Sequence, residues 1–140
     1  MGTRRNCMMG VVLLGLSFVS APAWSADDDD LVNAMMEVYA EELAANPRDY
    51  RTYYCRAAAY FSQGNLDSAL SDINQAVKYF PRKEVDDLSR VYLLRARILT
   101  LKGDDKSALT DLNSALRLDP NMRRALKDRG DLLCRLELYD

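Results

Sequence analysis

The sequence predicts an all-α fold, a stack of antiparallel helix pairs, and two observations predict it. The first is periodicity. Residues 50–81 read YRTYYCRAAAYFSQGNLDSALSDINQAVKYFP, with Tyr53, Ala57 and Tyr60, then Ala69, Leu70, Ile73, Ala76 and Val77, recurring three, four and seven places apart. Each set is a stripe on one helix face. The second is repetition. Residues 89–120, SRVYLLRARILTLKGDDKSALTDLNSALRLDP, match the first stretch place for place: Tyr53 with Tyr92, Arg56 with Arg95, Ala57 with Ala96, Gly64 with Gly103, Ala69 with Ala108, Asp72-Ile73-Asn74 with Asp111-Leu112-Asn113, and Pro81 with Pro120. One helical hairpin cannot bury both apolar faces, so a repeated hairpin implies stacking.

Residues 1–26 read as a secretory signal peptide: Arg4 and Arg5, an apolar run over 8–19, then small residues over 21–26. The run is too short to span a bilayer, which needs about twenty residues. Cleavage before Ala26 fits Ala23 and Ser25; cleavage before Asp27 puts bulky Trp24 at an unfavoured place. An uncleaved anchor is the alternative. Cys7 precedes the apolar run, which excludes a lipoprotein cysteine, and Asn6 stands where myristoylation needs Ser or Thr. The expected product is exported, periplasmic or secreted, with no other span.

Residues 27–49 form an acidic N-terminus and a first helix that carries the second-helix phase: Pro47 lies 34 places before Pro81, and Met35, Met36, Tyr39 and Leu43 form the stripe ahead of it. Asp27 to Asp30 suit a solvated helix start, with Asp30 a candidate N-cap; a calcium loop lacks its spaced ligands and turn Gly. Residues 50–83 and 89–122 are two full units. Gly64 sits where a left-handed residue closes a helix, and Pro81 stops the second helix. Residues 84–88 are an insert. Residues 123–140 begin a third unit, with Leu126, Arg129, Gly130 and Leu133 in register, and Glu137 where the turn Gly would stand. With Leu132, Leu133, Leu136 and Leu138 crowded on it, this helix either caps the stack or is completed by another chain, a homodimer through 123–140.

The pattern resembles the tetratricopeptide repeat over roughly residues 31–140. The match rests on the 34-residue period, small residues facing each other (Ala57, Ala96, Gly130 against Ala69, Ala108), Tyr60, Leu99 and Leu133 three places on, and the closing Pro. The resemblance implies a right-handed superhelical α-solenoid of about two and a half repeats. It also implies a concave surface lined by Arg51, Tyr54, Ala58 and Phe61, then Arg90, Leu93, Arg97 and Leu101, then Arg124, Lys127, Asp131 and Arg135. Such a mix of cations with aromatic and aliphatic groups suits acidic or carboxylate-ended peptides. The family's chaperone-tail clamp needs a Lys/Asn set absent here, so that ligand is not implied. Arg56, Arg95 and Arg129 replace the family's usual Leu. Asp72 and Asp111 follow Arg56 and Arg95 by the same interval, which predicts a structural Arg–Asp bridge in each hairpin.

Enzyme chemistry finds little support. The chain has no histidine, which excludes His-based triads and His–metal sites, and no phosphate-cradling glycine loop; no cofactor or metal is expected. Without Arg4 and Arg5 the chain holds 17 basic and 21 acidic residues, 17 − 21 = −4. Residues 27–47 contain seven acids and no base, leaving a mildly basic repeat body. Tyr and Arg interleave in YRTYYCR, yet negative charge and export argue against nucleic acid. Cys55 and Cys134 lie on first helices two units apart, too far for a disulfide, so free thiols, or an intermolecular bridge through Cys134, are expected. The reading is a protein-binding adaptor; the alternative is a self-assembling component using its C-terminal helix.

Overall fold

The computed structural model describes residues 28–81 and 87–139, and every regular element among them is a helix. In chain order these are α1 (Asp28–Ala45), α2 (Tyr50–Ser62), α3 (Leu66–Tyr79), α4 (Leu88–Leu101), α5 (Asp105–Leu118) and α6 (Arg123–Tyr139). The expected signal peptide lies outside the described residues, as do 82–86.

The two hairpin turns are copies of each other. Gly64 (φ 75°) and Gly103 (φ 82°) take the left-handed conformation. At the first turn Gly64 N donates to Phe61 O and Asn65 N reaches back to Tyr60 O; Gly103 and Asp104 repeat the pattern on Thr100 O and Leu99 O. These bonds satisfy carbonyls that the helix end would leave orphaned. The next residue then caps the following helix: Asn65 Oδ1 accepts from Ser68 N and Asp104 Oδ1 from Ser107 N, each at 3.2 Å. Three residues therefore end one helix and start the next, which forces antiparallel pairs.

The pairs stack. α2 packs on α3 and α4 on α5, while α1 rests on α2, α3 on α4 and α5 on α6. The result is a helical solenoid with two core clusters. Ala57, Ala69, Ile73, Ala76, Val91, Leu94 and Ile98 fill the space among α2, α3 and α4; Ala96, Ala108, Leu112, Ala115, Leu116, Ala125 and Leu132 fill that among α4, α5 and α6. Of the small residues named in the sequence, Ala57, Ala69, Ala96 and Ala108 are fully buried, which lets the backbones approach closely, whereas Gly130 is exposed. Tyr50 meets Phe80 in a tilted arrangement with ring centroids 4.4 Å apart, and Tyr53 stacks on Tyr79 at 5.9 Å, across the open end of the first hairpin.

One expectation is corrected: Cys55 is disulfide-bonded. Cys134 is free and exposed, so the two are not joined to each other, as the separation of packed helices requires.

Candidate binding groove

The first helices α2, α4 and α6 lie side by side, because each second helix packs behind them. Equivalent places therefore form rows across one face. One row is Arg51, Arg90 and Arg124, all exposed and all in the first turn of their helix. The next is Tyr54, Leu93 and Lys127, and a third is Ala58, Arg97 and Asp131.

The rows give the groove two different ends. At one end Tyr54 stands half-buried among charged neighbours. Burial pushes its phenol above the ordinary value; nearby Arg90 and Arg124 pull it down and Asp87 raises it. Arg90 Nη1 is 3.9 Å from Asp87, with both side chains largely open to water. Arg51 Nε donates to the Tyr50 hydroxyl at 2.9 Å.

At the other end is a pocket of about 210 Å³ lined by Phe61, Ala96, Arg97, Thr100, Leu101, Leu112, Asp128, Asp131, Leu132 and Arg135. Ala96, Leu112 and Leu132 make an apolar floor continuous with the second core cluster. The Arg97 guanidinium lies over the Phe61 ring, 5.2 Å from its centroid, and its Nε is 3.7 Å from Asp128. Asp128 Oδ2 is buried without a hydrogen-bond partner. Arg135 grips Asp105 with two donors, and Lys127 pairs with Asp131 at 3.2 Å one turn along α6, both side chains mostly exposed.

The groove therefore differs from a uniformly basic face. Asp128 and Asp131 project from α6 at places held by Leu94 and Arg97 in α4, so carboxylates interleave with the cations. Leu93 is half-buried and packs against the second core cluster. Thr100 occupies the place equivalent to Phe61, although Leu101, one residue later, was the residue expected there; both line the pocket. The signal for Thr100 was in the register: the 39-place offset that relates Gly64 to Gly103 carries Phe61 onto Thr100.

Behind the groove runs a ladder of ion pairs. Arg56 Nε and Nη2 donate to the two Asp72 oxygens at 2.6 and 2.8 Å; Arg95 does the same to Asp111 at 2.7 Å each. Both aspartates are almost fully buried. The hydrogen bonds to these carboxylates raise the pKa of Arg56 and Arg95, against the opposing effect of burial. The ladder also links repeats. Arg95 Nη1 donates to Asn74 Oδ1 of the preceding unit, and Arg129 Nη1 to Asn113 Oδ1, both at 3.2 Å. The guanidinium fork lets one residue hold its own second helix and the one before it.

Repeated, stacked helix pairs with matching turns define a helical-repeat scaffold. Residues 50–83 and 89–122 each match a tetratricopeptide-repeat family model. The chain belongs to the tetratricopeptide-repeat family. Similar solved structures include the first such domain of Spaghetti (RPAP3) bound to the HSP90 peptide SRMEEVD, at 22% identity and TM-score 0.70, covering 79% of this chain and 83% of that one. The Arabidopsis OM64 domain is 25% identical, with TM-score 0.65 and coverage of 75% and 83%. The TPR2B domain of yeast Sti1, in complex with pHsp70, is 24% identical, with TM-score 0.61 and coverage of 81% and 87%. No curated protein matches this chain by sequence.

Proposed function

We propose that this chain is an exported adaptor that binds an extended, acidic protein segment along the concave face, and that it carries out no catalysis. The observation that carries the reading is the pocket at Phe61, Arg97, Leu101 and Arg135. It sets an apolar floor beside the guanidinium groups of Arg97 and Arg135, which keep N–H donors beyond their contacts with Asp128 and Asp105, so a side chain can be buried while a neighbouring carboxylate is paired. Arg97 already lies over the Phe61 ring, which lowers the ordering cost of using it. A second cationic end at Arg51, Arg90 and Arg124, beside the neutral Tyr54 phenol, would accept a further acidic residue of an extended segment. The similar RPAP3 domain is bound to a peptide rich in Glu and Asp, which supports the class of ligand; the Lys/Asn set of chaperone-tail recognition is absent here. Export rests on the leader-like pattern of residues 1–26.

The test uses a fluorescent eight-residue peptide with alternating Glu and Leu and a free C-terminal carboxylate, titrated by anisotropy. Binding that weakens steeply with salt, and at least tenfold in Arg97→Glu/Lys127→Glu, is the expected result. Equal affinity in wild type and variant would remove the groove from the account. N-terminal sequencing of the exported chain tests the leader: a start at Ala26 or Asp27 is expected, and an intact Met1 contradicts export by cleavage.

A further inference from the structure

We propose that copies of this chain associate head to tail, with the acidic α1 of one copy docking on the bare face of α6 in the next. The two helices would make, between chains, the pair that neither makes with another described helix of its own chain. This concerns a different face from the groove and does not rest on the groove reading.

The bare face of α6 is set by the repeat. In α2 and α4, Ala57 and Ala96 are completely buried under their second helices, and Tyr53, Tyr60, Tyr92 and Leu99 pack beside them. The equivalent places in α6 are Leu126, Gly130 and Leu133. Leu126 and Leu133 are 43% and 40% exposed, and a Cβ added at Gly130 would meet nothing within 4 Å. Among the described residues no helix follows α6 to cover them.

The complementary defect is in α1. In α3 and α5 the stripe Ala69, Asp72, Ala76 and its copy Ala108, Asp111, Ala115 is buried against the unit's own first helix. Thirty-four places earlier than Ala69 and Asp72 stand Met35 and Val38, which are 39% and 48% exposed. α1 rests on α2 through its other stripe, in which Leu43 is buried and Met36 and Tyr39 half-buried. So, among the described residues, α1 has the phase of a second helix with no first helix on its outer stripe, and α6 the phase of a first helix with no second.

Charge selects this pairing over a symmetric one. α1 carries six acidic residues and no base, and α6 carries five basic residues against three acidic. Two copies of α6 would face like charge, whereas α1 against α6 is attractive. Arg129 stands at the place where Arg56 and Arg95 grip a carboxylate of their own second helix, and its described hydrogen bond goes to Asn113. Glu41, exposed and one turn beyond Val38, brings a carboxylate to the corresponding side of α1. Such a contact joins two different surfaces, so it continues into chains or closes into rings instead of stopping at a two-fold dimer.

Sedimentation velocity on the full chain across the micromolar range tests the proposal, with Leu133→Glu and Met35→Glu as variants at exposed positions. The wild type should associate progressively, more weakly in high salt, and each variant alone should be monomeric. Mixed together, the two variants should form a one-to-one heterodimer, because one retains α6 and the other α1. Glu41→Lys, which disturbs no core, should weaken association at least tenfold, and Arg97→Glu should leave it unchanged. A wild type that stays monomeric throughout, a two-fold dimer indifferent to Met35→Glu, or a variant mixture that does not pair would each overturn the proposal.

Discussion

Replacing Asp111 by Ala tests whether the Arg–Asp ladder holds the stack. Asp111 is 4% exposed and accepts two bonds from Arg95; without it, Arg95 retains its bond to Asn74 in a half-buried setting. Breaking a buried ion pair by removing one partner costs about 3–5 kcal/mol, because the other charge is left uncompensated. The Arg95 side chain is 22% exposed, so water recovers part of that cost, and about 2–3 kcal/mol is expected. For a domain near this size that lowers Tm by roughly 10–20 °C, read by far-ultraviolet circular dichroism. The double variant Arg95→Leu/Asp111→Leu should recover most of the loss, since apolar residues in place of a buried pair are often neutral. A shift below about 0.5 kcal/mol, the range of ordinary surface substitutions, or a loss of peptide binding at unchanged Tm, would refute the structural role.

Three further outcomes follow from local geometry. Gly103→Ala forces a side chain into a left-handed φ and should destabilise by about 1 kcal/mol, whereas Gly130→Ala, in a helix interior with open space around it, should stabilise by about 0.5–1 kcal/mol; chemical denaturation reads both. The Asp104 carboxyl is held below its ordinary value by its hydrogen bonds with the Ser107 side chain and backbone. Its contribution is therefore complete above about pH 4 and fades as pH falls through the lower folded value. The Tm difference between wild type and Asp104→Ala should accordingly shrink on acidification, and a difference that stays constant with pH would contradict the cap. Asn74→Ala should lower Tm less than Asp111→Ala, because it removes one neutral acceptor and leaves the ion pair intact.

Much of the fold was legible because repetition multiplies weak signals. A single Gly64 suggests a turn; Gly64 and Gly103 at the same place of two units, each with positive φ, identify a hairpin. The Arg–Asp pairs could be read for the same reason, since one interval recurs and a buried carboxylate demands a partner. The matching Asn74 and Asn113 were visible as repeated residues, but an exposed helix asparagine resembles any solvated one until the neighbouring Arg reaches it. Residues outside the repetition were harder. Asp128 breaks the pattern of Cys55 and Leu94 and brings a carboxylate into the groove, which no periodicity announces.

The central claim is that the pocket cations select an acidic segment, and a paired titration tests it most directly. The Glu/Leu peptide and the same peptide with Gln in place of Glu are titrated against wild type and against Arg97→Glu/Lys127→Glu. The account predicts that wild type prefers the Glu peptide at least tenfold and that the variant loses or inverts this preference while keeping its helical circular dichroism. Equal binding of both peptides by the wild type, or an unchanged preference in the folded variant, would contradict it.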